Sequence, residues 1–182
     1  SNAGKCVRFA EADVRAMGRT ARGVRGIRLK DNERLISLII PQQGGRVLSV
    51  SANGYGKRTE MPDFPVHNRG GQGVIAMQTS DRNGELVGAV PVYDGDEIML
   101  ISDKGTLVRT RTDEISIVSR NTQGVRLIKV GDDERLVGVE RIDEPVEDEF
   151  AAVDNDETAD ITDADASNDS PERGNDSPEQ ES

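Results

Sequence analysis

The 182-residue sequence predicts an all-β, propeller-like fold, and three observations carry that expectation. Landmarks recur at intervals of 50 and 51 residues. Each interval holds short β-prone runs bounded by Gly, Asp or Asn. Aromatic residues make up only 3% of the chain and Trp is absent, so the core must rest on Val, Ile and Leu, while 19 Gly and seven Pro supply the turns that such folds need.

Strand A opens each unit: Gly4-Lys5-Cys6-Val7-Arg8-Phe9 aligns with Gly54-Tyr55-Gly56-Lys57-Arg58-Thr59 and with Gly105-Thr106-Leu107-Val108-Arg109-Thr110. Arg19, Arg69 and Arg120 each stand four residues before Gly23, Gly73 and Gly124, which open strand B at Val24–Leu29, Val74–Met77 and Val125–Ile128. Strand C follows at Leu35–Leu38, Leu86–Ala89 and Leu136–Val139, and strand D at Val47–Val50 and Ile98–Ile101, with no third copy. Asp31-Asn32, Asn83-Gly84 and Gly131-Asp132-Asp133 read as hairpin turns between B and C. The count is 11 strands, four per blade, and three blades are too few to close a ring.

The expected organisation is a blade unit at 4–53, a second at 54–104 and an incomplete third at 105–142. Ser1-Asn2-Ala3 reads as a tag remnant, and without a starting Met the chain reads as an excised piece. Glu11–Met17 contains helix formers, but the equivalent Glu60–Pro65 holds two prolines, so all three A–B segments are read as connections.

The net charge of −11 conceals a division. Residues 143–182 carry 16 acids and one base, whereas residues 4–58 carry 12 bases and four acids. The first of these segments has few large apolar residues and is expected to form a disordered acidic tail. No apolar run reaches the roughly 20 residues of a membrane span, and no signal peptide opens the chain, so a cytoplasmic location is expected.

The inventory argues against chemistry in this chain. His67 is the single histidine and lies in a Pro- and Gly-rich connection without a nearby nucleophile; Cys6 is the single cysteine and reads as a small core or edge residue. There is no phosphate-binding Walker loop and no nucleophile elbow. The acids around Asp154–Asp165 lack the central Gly and final Glu of a calcium loop. No catalytic, cofactor or metal residues are expected.

The arginines carry more information. Arg15, Arg19, Arg22, Arg25 and Arg28 crowd into 14 residues with few acids nearby, and Arg8, Arg58 and Arg109 repeat at one position of strand A. A repeated basic position makes a spaced positive track suited to a duplex phosphate backbone rather than to base readout. The expected DNA contacts are Arg15, Arg19, Arg22, Arg25, Arg28, Lys57, Arg58, Arg69, Arg109, Arg111 and Arg120.

Arg15-Ala16-Met17-Gly18 with Gly23–Leu29, Asn53–Thr59, Thr106–Arg111 and above all Glu114–Val118 with Arg120–Val125 resemble the C-terminal domain of bacterial DNA gyrase A, part of a type IIA topoisomerase. That resemblance covers about residues 4–146, and the acidic tail fits the end of gyrase A as well. It implies a six-bladed β-pinwheel in which blades share strands, of which this chain holds about three. It also implies that duplex DNA wraps on a basic rim, in support of ATP-dependent negative supercoiling by a cytoplasmic, nucleoid-associated enzyme. The implied partners are the N-terminal region of gyrase A, and gyrase B, in an A2B2 holoenzyme whose ATP and Mg2+ sites lie in those other parts. Tyr55 and Tyr93 do not sit in the family's cleavage motif. The family box Gln-Arg-Arg-Gly-Gly-Lys-Gly is absent; the matching place reads His67-Asn68-Arg69-Gly70-Gly71-Gln72-Gly73. The alternatives are the corresponding domain of topoisomerase IV and a protein-interaction propeller with an acidic partner. The tail is expected to compete with DNA for the basic body, or else only to keep the protein soluble.

Overall fold

The computed structural model describes residues 1–142; the acidic tail expected at 143–182 lies outside the described residues. Nine strands are formed: β1 (Lys5–Cys6), β2 (Arg46–Ser51), β3 (Tyr55–Glu60), β4 (Val74–Ile75), β5 (Leu86–Val92), β6 (Glu97–Ser102), β7 (Leu107–Arg111), β8 (Val125–Arg126) and β9 (Leu136–Ile142). They make a two-stranded sheet β1-β4, a four-stranded sheet β5-β2-β3-β8 and a three-stranded sheet β7-β6-β9. Every strand pair is antiparallel, while the isolated bridges Arg8–Val66 and Arg58–Ile117 are parallel. The all-β expectation holds, and the helix formers at Glu11–Met17 yield only a 3-10 turn at Glu11–Asp13, matched by turns at Met61–Asp63 and Thr112–Glu114.

The sheets do not coincide with the sequence units. In repeat terms the four-stranded sheet joins strand C of unit two, D of unit one, A of unit two and B of unit three. The three-stranded sheet joins A of unit three, D of unit two and C of unit three. This is the strand sharing that the family resemblance implies. It corrects the expectation of B–C hairpins: β4 and β5 flank Asn83-Gly84 yet pair with β1 and β2. The turn still forms, because Asn83 Oδ1 accepts from the Ser80 amide at 2.8 Å. The tight hairpins are instead D–A, with β2 returning as β3 and β6 returning as β7.

Strand sharing also explains why nine strands form rather than 11. Residues 24–29 and 35–38, expected as strands B and C of unit one, have no regular strand structure. By the pattern of the complete sheet their partners would be strands A and D of a preceding unit, and this sequence contains none. Backbone groups without a ladder partner turn to water, and the side chains follow: Leu38 is 84% and Ile40 81% exposed.

The main core lies between the four- and three-stranded sheets, where Leu48, Val50, Val92, Ile98, Leu100, Ile115, Leu136 and Val139 pack together. The period-two spacing of Leu48 with Val50 and of Ile98 with Leu100 puts each pair on one face of its strand. β2 is covered on both faces, so Ser49 and Ser51 are buried as well. Residues 1–3, read from the sequence as a tag remnant, form the first copy of the D–A turn. The amide of Gly4 donates to Ser1 O at 3.0 Å, as Gly54 does to Ser51 O at 3.1 Å and Gly105 to Ser102 O at 3.2 Å.

Units are joined at that turn. The carbonyl of Gly4 accepts from Ala76 and Met77, and one repeat later the carbonyl of Gly54 accepts from Leu127 and Ile128. Gly54 has φ +80°, and a Cβ there would run into the Ile128 carbonyl oxygen. Gly105 has φ +84° but open space around it. Gly54→Ala is therefore expected to lower stability by more than the roughly 1–2 kcal/mol of the left-handed conformation alone, and Gly105→Ala by about that amount. Urea unfolding of both variants checks this; equal losses would remove the steric joint.

Candidate nucleic-acid interface

The repeated arginines serve the joints between units. Arg8 Nη1 donates to the carbonyls of Met61 at 3.0 Å and Phe64 at 3.1 Å. Arg58, only 6% exposed, donates from Nε to Ile115 O at 2.8 Å, the same contact one repeat on, and pairs with Asp94 at 3.2 Å and Asp113 at 3.6 Å. Arg109 has no following unit in this sequence and forms an ion pair with Glu97. The second series behaves alike: Arg69 Nη1 donates to Arg25 O at 3.2 Å and Arg120 Nη1 to Ile75 O at 2.9 Å.

Two of the expected DNA contacts are buried. Arg58 is enclosed by its carbonyl and carboxylate partners, and Lys57 is 0% exposed. The Lys57 ammonium donates to the carbonyls of Ser119 and Arg120 and to Thr122 Oγ1 at 3.2 Å, so it pins the A–B connection of unit three. Burial, helped by the nearby Arg120 charge, pulls its pKa down to about 8.

The arginine-rich segment of unit one is different. Arg15, Arg19, Arg22, Arg25 and Arg28 are all exposed, and none forms an ion pair among the described residues. Its backbone is seated by the unit-two residues 69–71. The Gly70 amide donates to Gly26 O at 2.5 Å, the Arg28 amide to Gly71 O at 2.8 Å, and Arg69 Nε to Asp13 O at 2.9 Å. The tie between Arg28 and Gly71 recurs one repeat on as Gln78 to Thr122 O at 2.9 Å. A segment anchored at both ends with five unpaired guanidiniums in solvent is a ready receptor for a polyanion. Arg111 is also exposed and lies beyond this segment, at the end of β7. The sequence pattern does not single out Arg82 or Arg126, which flank the Tyr55 ring at 5.0 and 5.4 Å from its centroid. The only sequence signal for that arrangement is Tyr55 itself, an aromatic residue in a chain with few.

A family model described as DNA gyrase C-terminal domain, beta-propeller, matches residues 1–42, 45–92 and 96–143. The chain belongs to the DNA gyrase C-terminal domain family. It is 61% identical over 145 residues to the DNA gyrase A protein of Pseudomonas aeruginosa, a match covering 80% of this chain and 16% of that protein. With the DNA gyrase A protein of Salmonella typhimurium it shares 58% over 149 residues, 82% of this chain and 17% of that protein. The chain thus spans about a sixth of the length of these curated relatives. A solved DNA gyrase A C-terminal domain superposes with a TM-score of 0.70 at 29% identity, over 77% of this chain and 48% of that one. The solved C-terminal domain of DNA topoisomerase IV gives 0.72 at 22% identity, over 78% and 44%, and shares the fold.

Within this gyrase-family domain, the segment standing where the family box would be, His67–Gly73, is the one that seats the arginine-rich loop. Among the described residues no helix is long and apolar enough to cross a membrane, and no group of three or more His, Cys, Asp or Glu is placed to hold a metal ion.

Lys57 gives this domain a pH signature. Its folded-state pKa of about 8 lies below the ordinary lysine value of 10.5, so between those values the unfolded chain holds a proton that the folded chain has released. Stability therefore rises with pH through that window, by no more than about 1.4 kcal/mol per unit and less where water reaches the amine. Below pH 8 the full cost of the buried charge is present. The rise is expected in the wild-type chain and absent in Lys57→Met when the two are compared by denaturant midpoint from pH 7 to 10; parallel curves would contradict it.

Proposed function

We propose that this chain is the duplex-DNA-binding and wrapping module of a DNA gyrase A protein. In the whole protein it holds a DNA segment against its basic surface so that ATP-dependent strand passage introduces negative supercoils. The observation that carries this reading is the run of five exposed arginines without ion-pair partners among the described residues, on a backbone tied down by the next unit. Membership of the gyrase family supports it. The module contributes binding and no bond chemistry; strand cleavage, ATP and Mg2+ belong to the remainder of gyrase A and to gyrase B. Blade units at 4–53, 54–104 and 105–142 are the sequence repeats of this module, and 143–182 is its acidic tail. The working contacts are Arg15, Arg19, Arg22, Arg25 and Arg28, with Arg111 as an outlying one. Arg69, Arg109 and Arg120 act first through the joints and pair described above.

An acidic tail tethered to a basic body acts as a competitor for the same arginines, at an effective concentration set by its tether. The test is a duplex titration at several salt concentrations with the full chain, with residues 143–182 removed, and with Arg22→Glu/Arg25→Glu. Each phosphate contact adds about −0.9 to the log–log salt slope, so five contacts give about −4 to −5. Tail removal is expected to raise affinity at low salt, and the double reversal to cut the slope by about two contacts. An affinity that does not change with salt overturns the reading. Equal affinity with and without the tail makes the tail an appendage only.

A further inference from the structure

Tyr55 opens β3 and stands opposite Arg126 of β8 in the sheet. Its phenol oxygen accepts from Arg126 Nη2 at 2.9 Å and from Arg82 Nε at 3.3 Å. The tyrosine is buried, whereas both arginines are exposed. Neither guanidinium has a carboxylate partner among the described residues: Asp81, in Arg82's own turn, forms no ion pair with it, and Glu85 is taken by Arg34 and Asn2. Two like charges are thus drawn onto one neutral oxygen, and each guanidinium retains outward N–H groups beyond the one it spends there. Their mutual repulsion is relieved by an anion that bridges them, and paired Arg donors suit the oxygens of a phosphate. Hydrogen bonds from Arg82 and then Arg126 hold the Tyr55 phenol below its ordinary pKa, consistent with a positive potential at this place.

The repeat says which phosphate. Arg126 occupies in unit three the position that Arg25 holds in unit one, each second after the strand-B glycine. In unit two that position is Ile75, which carries no charge, and Arg82 from the following turn supplies one beside Arg126 instead. We propose that Arg82 and Arg126 clamp one phosphodiester of bound duplex DNA, with Tyr55 as the positioning residue that holds the two guanidiniums side by side. The clamp rests on the DNA-binding reading above and extends it beyond the arginine-rich segment of unit one.

The test uses the full chain and a fluorescein-labelled duplex, read by anisotropy at several salt concentrations, with Arg82→Gln/Arg126→Gln, Tyr55→Phe and, as a positive control, Arg22→Glu. The double variant is expected to reduce the salt slope by about one to two contacts and to weaken binding roughly tenfold at the lowest salt that still allows measurement. Tyr55→Phe keeps both charges and the ring but removes the shared oxygen, and is expected to weaken binding about threefold, with the slope falling by less than one contact. A structural role alone would lower the melting temperature and leave the slope intact, so that pattern overturns the clamp. If the double variant does not fold, Arg82→Gln alone, at an exposed turn, decides by the same slope. Inorganic phosphate separates the sources. If phosphate shifts the arginine side-chain NMR signals of the wild type while the double variant binds duplex as the wild type does, the site is a free-anion receptor and the clamp is wrong. If Arg22→Glu weakens binding and the clamp variants do not, the clamp alone fails. If the wild-type chain binds no duplex, the DNA reading fails and takes the clamp with it.

Discussion

The structure depends on one contact made twice: the carbonyl of a strand-A glycine receives two successive amides from the following unit. Gly4 takes them from Ala76 and Met77, and Gly54 from Leu127 and Ile128. No unit can satisfy its own strand A this way, so each sheet is assembled from neighbours. Arg8 and Arg58 reinforce the contact by reaching carbonyls of the next unit, at Phe64 and Ile115. Where the neighbour is missing from the sequence, the same residue types behave differently. Leu35, Leu38 and Ile40 stand in solvent, and Gly105 has open space around it.

That constraint divides the basic residues into two populations. An arginine that a joint requires is spent on carbonyls and carboxylates, and its charge is shielded at short range. Arg58 is the clearest case, and Lys57 is the extreme one, an ammonium with three neutral acceptors and no exposure. The segment carrying Arg15 to Arg28 is anchored through its backbone at Asp13, Arg25, Gly26 and Arg28 instead, which leaves the guanidiniums free to meet a phosphate. Anchoring at both ends of the segment lowers the entropy lost when a polyanion binds.

Much of this is legible in the sequence, and the limits have physical causes. The period, the aliphatic core and the turn at Asn83-Gly84 all follow from local chemistry, and the structure contains them. The partners of each strand do not follow, because alternation identifies a strand without naming its neighbour. Hence strands B and C, expected to pair with each other, instead enter different sheets. The arginine period is real but has a different cause: it repeats because the joint repeats, and burial is invisible in a list of charges. The exposed arginines include the non-repeating Arg15, Arg22, Arg25 and Arg28, and also Arg19 and Arg109, the members of each repeating series whose neighbouring unit is missing from the sequence. Tyr55 with Arg82 and Arg126 is hidden from sequence because its members come from two units and meet only once β3 pairs with β8.

The central claim is that neighbouring units form one cooperative structure through these joints, and native-state hydrogen exchange of the full chain tests it most directly. The amides of Leu127, Ile128 and Val118, which bond to Gly54 and Arg58 across the joint, should open with the same free energy as the core amides of Leu48 and Val50 in β2. Exchange of the unit-three amides through a separate opening of much lower free energy, while β2 and β3 stay protected, would show that the units stand independently and would contradict the account.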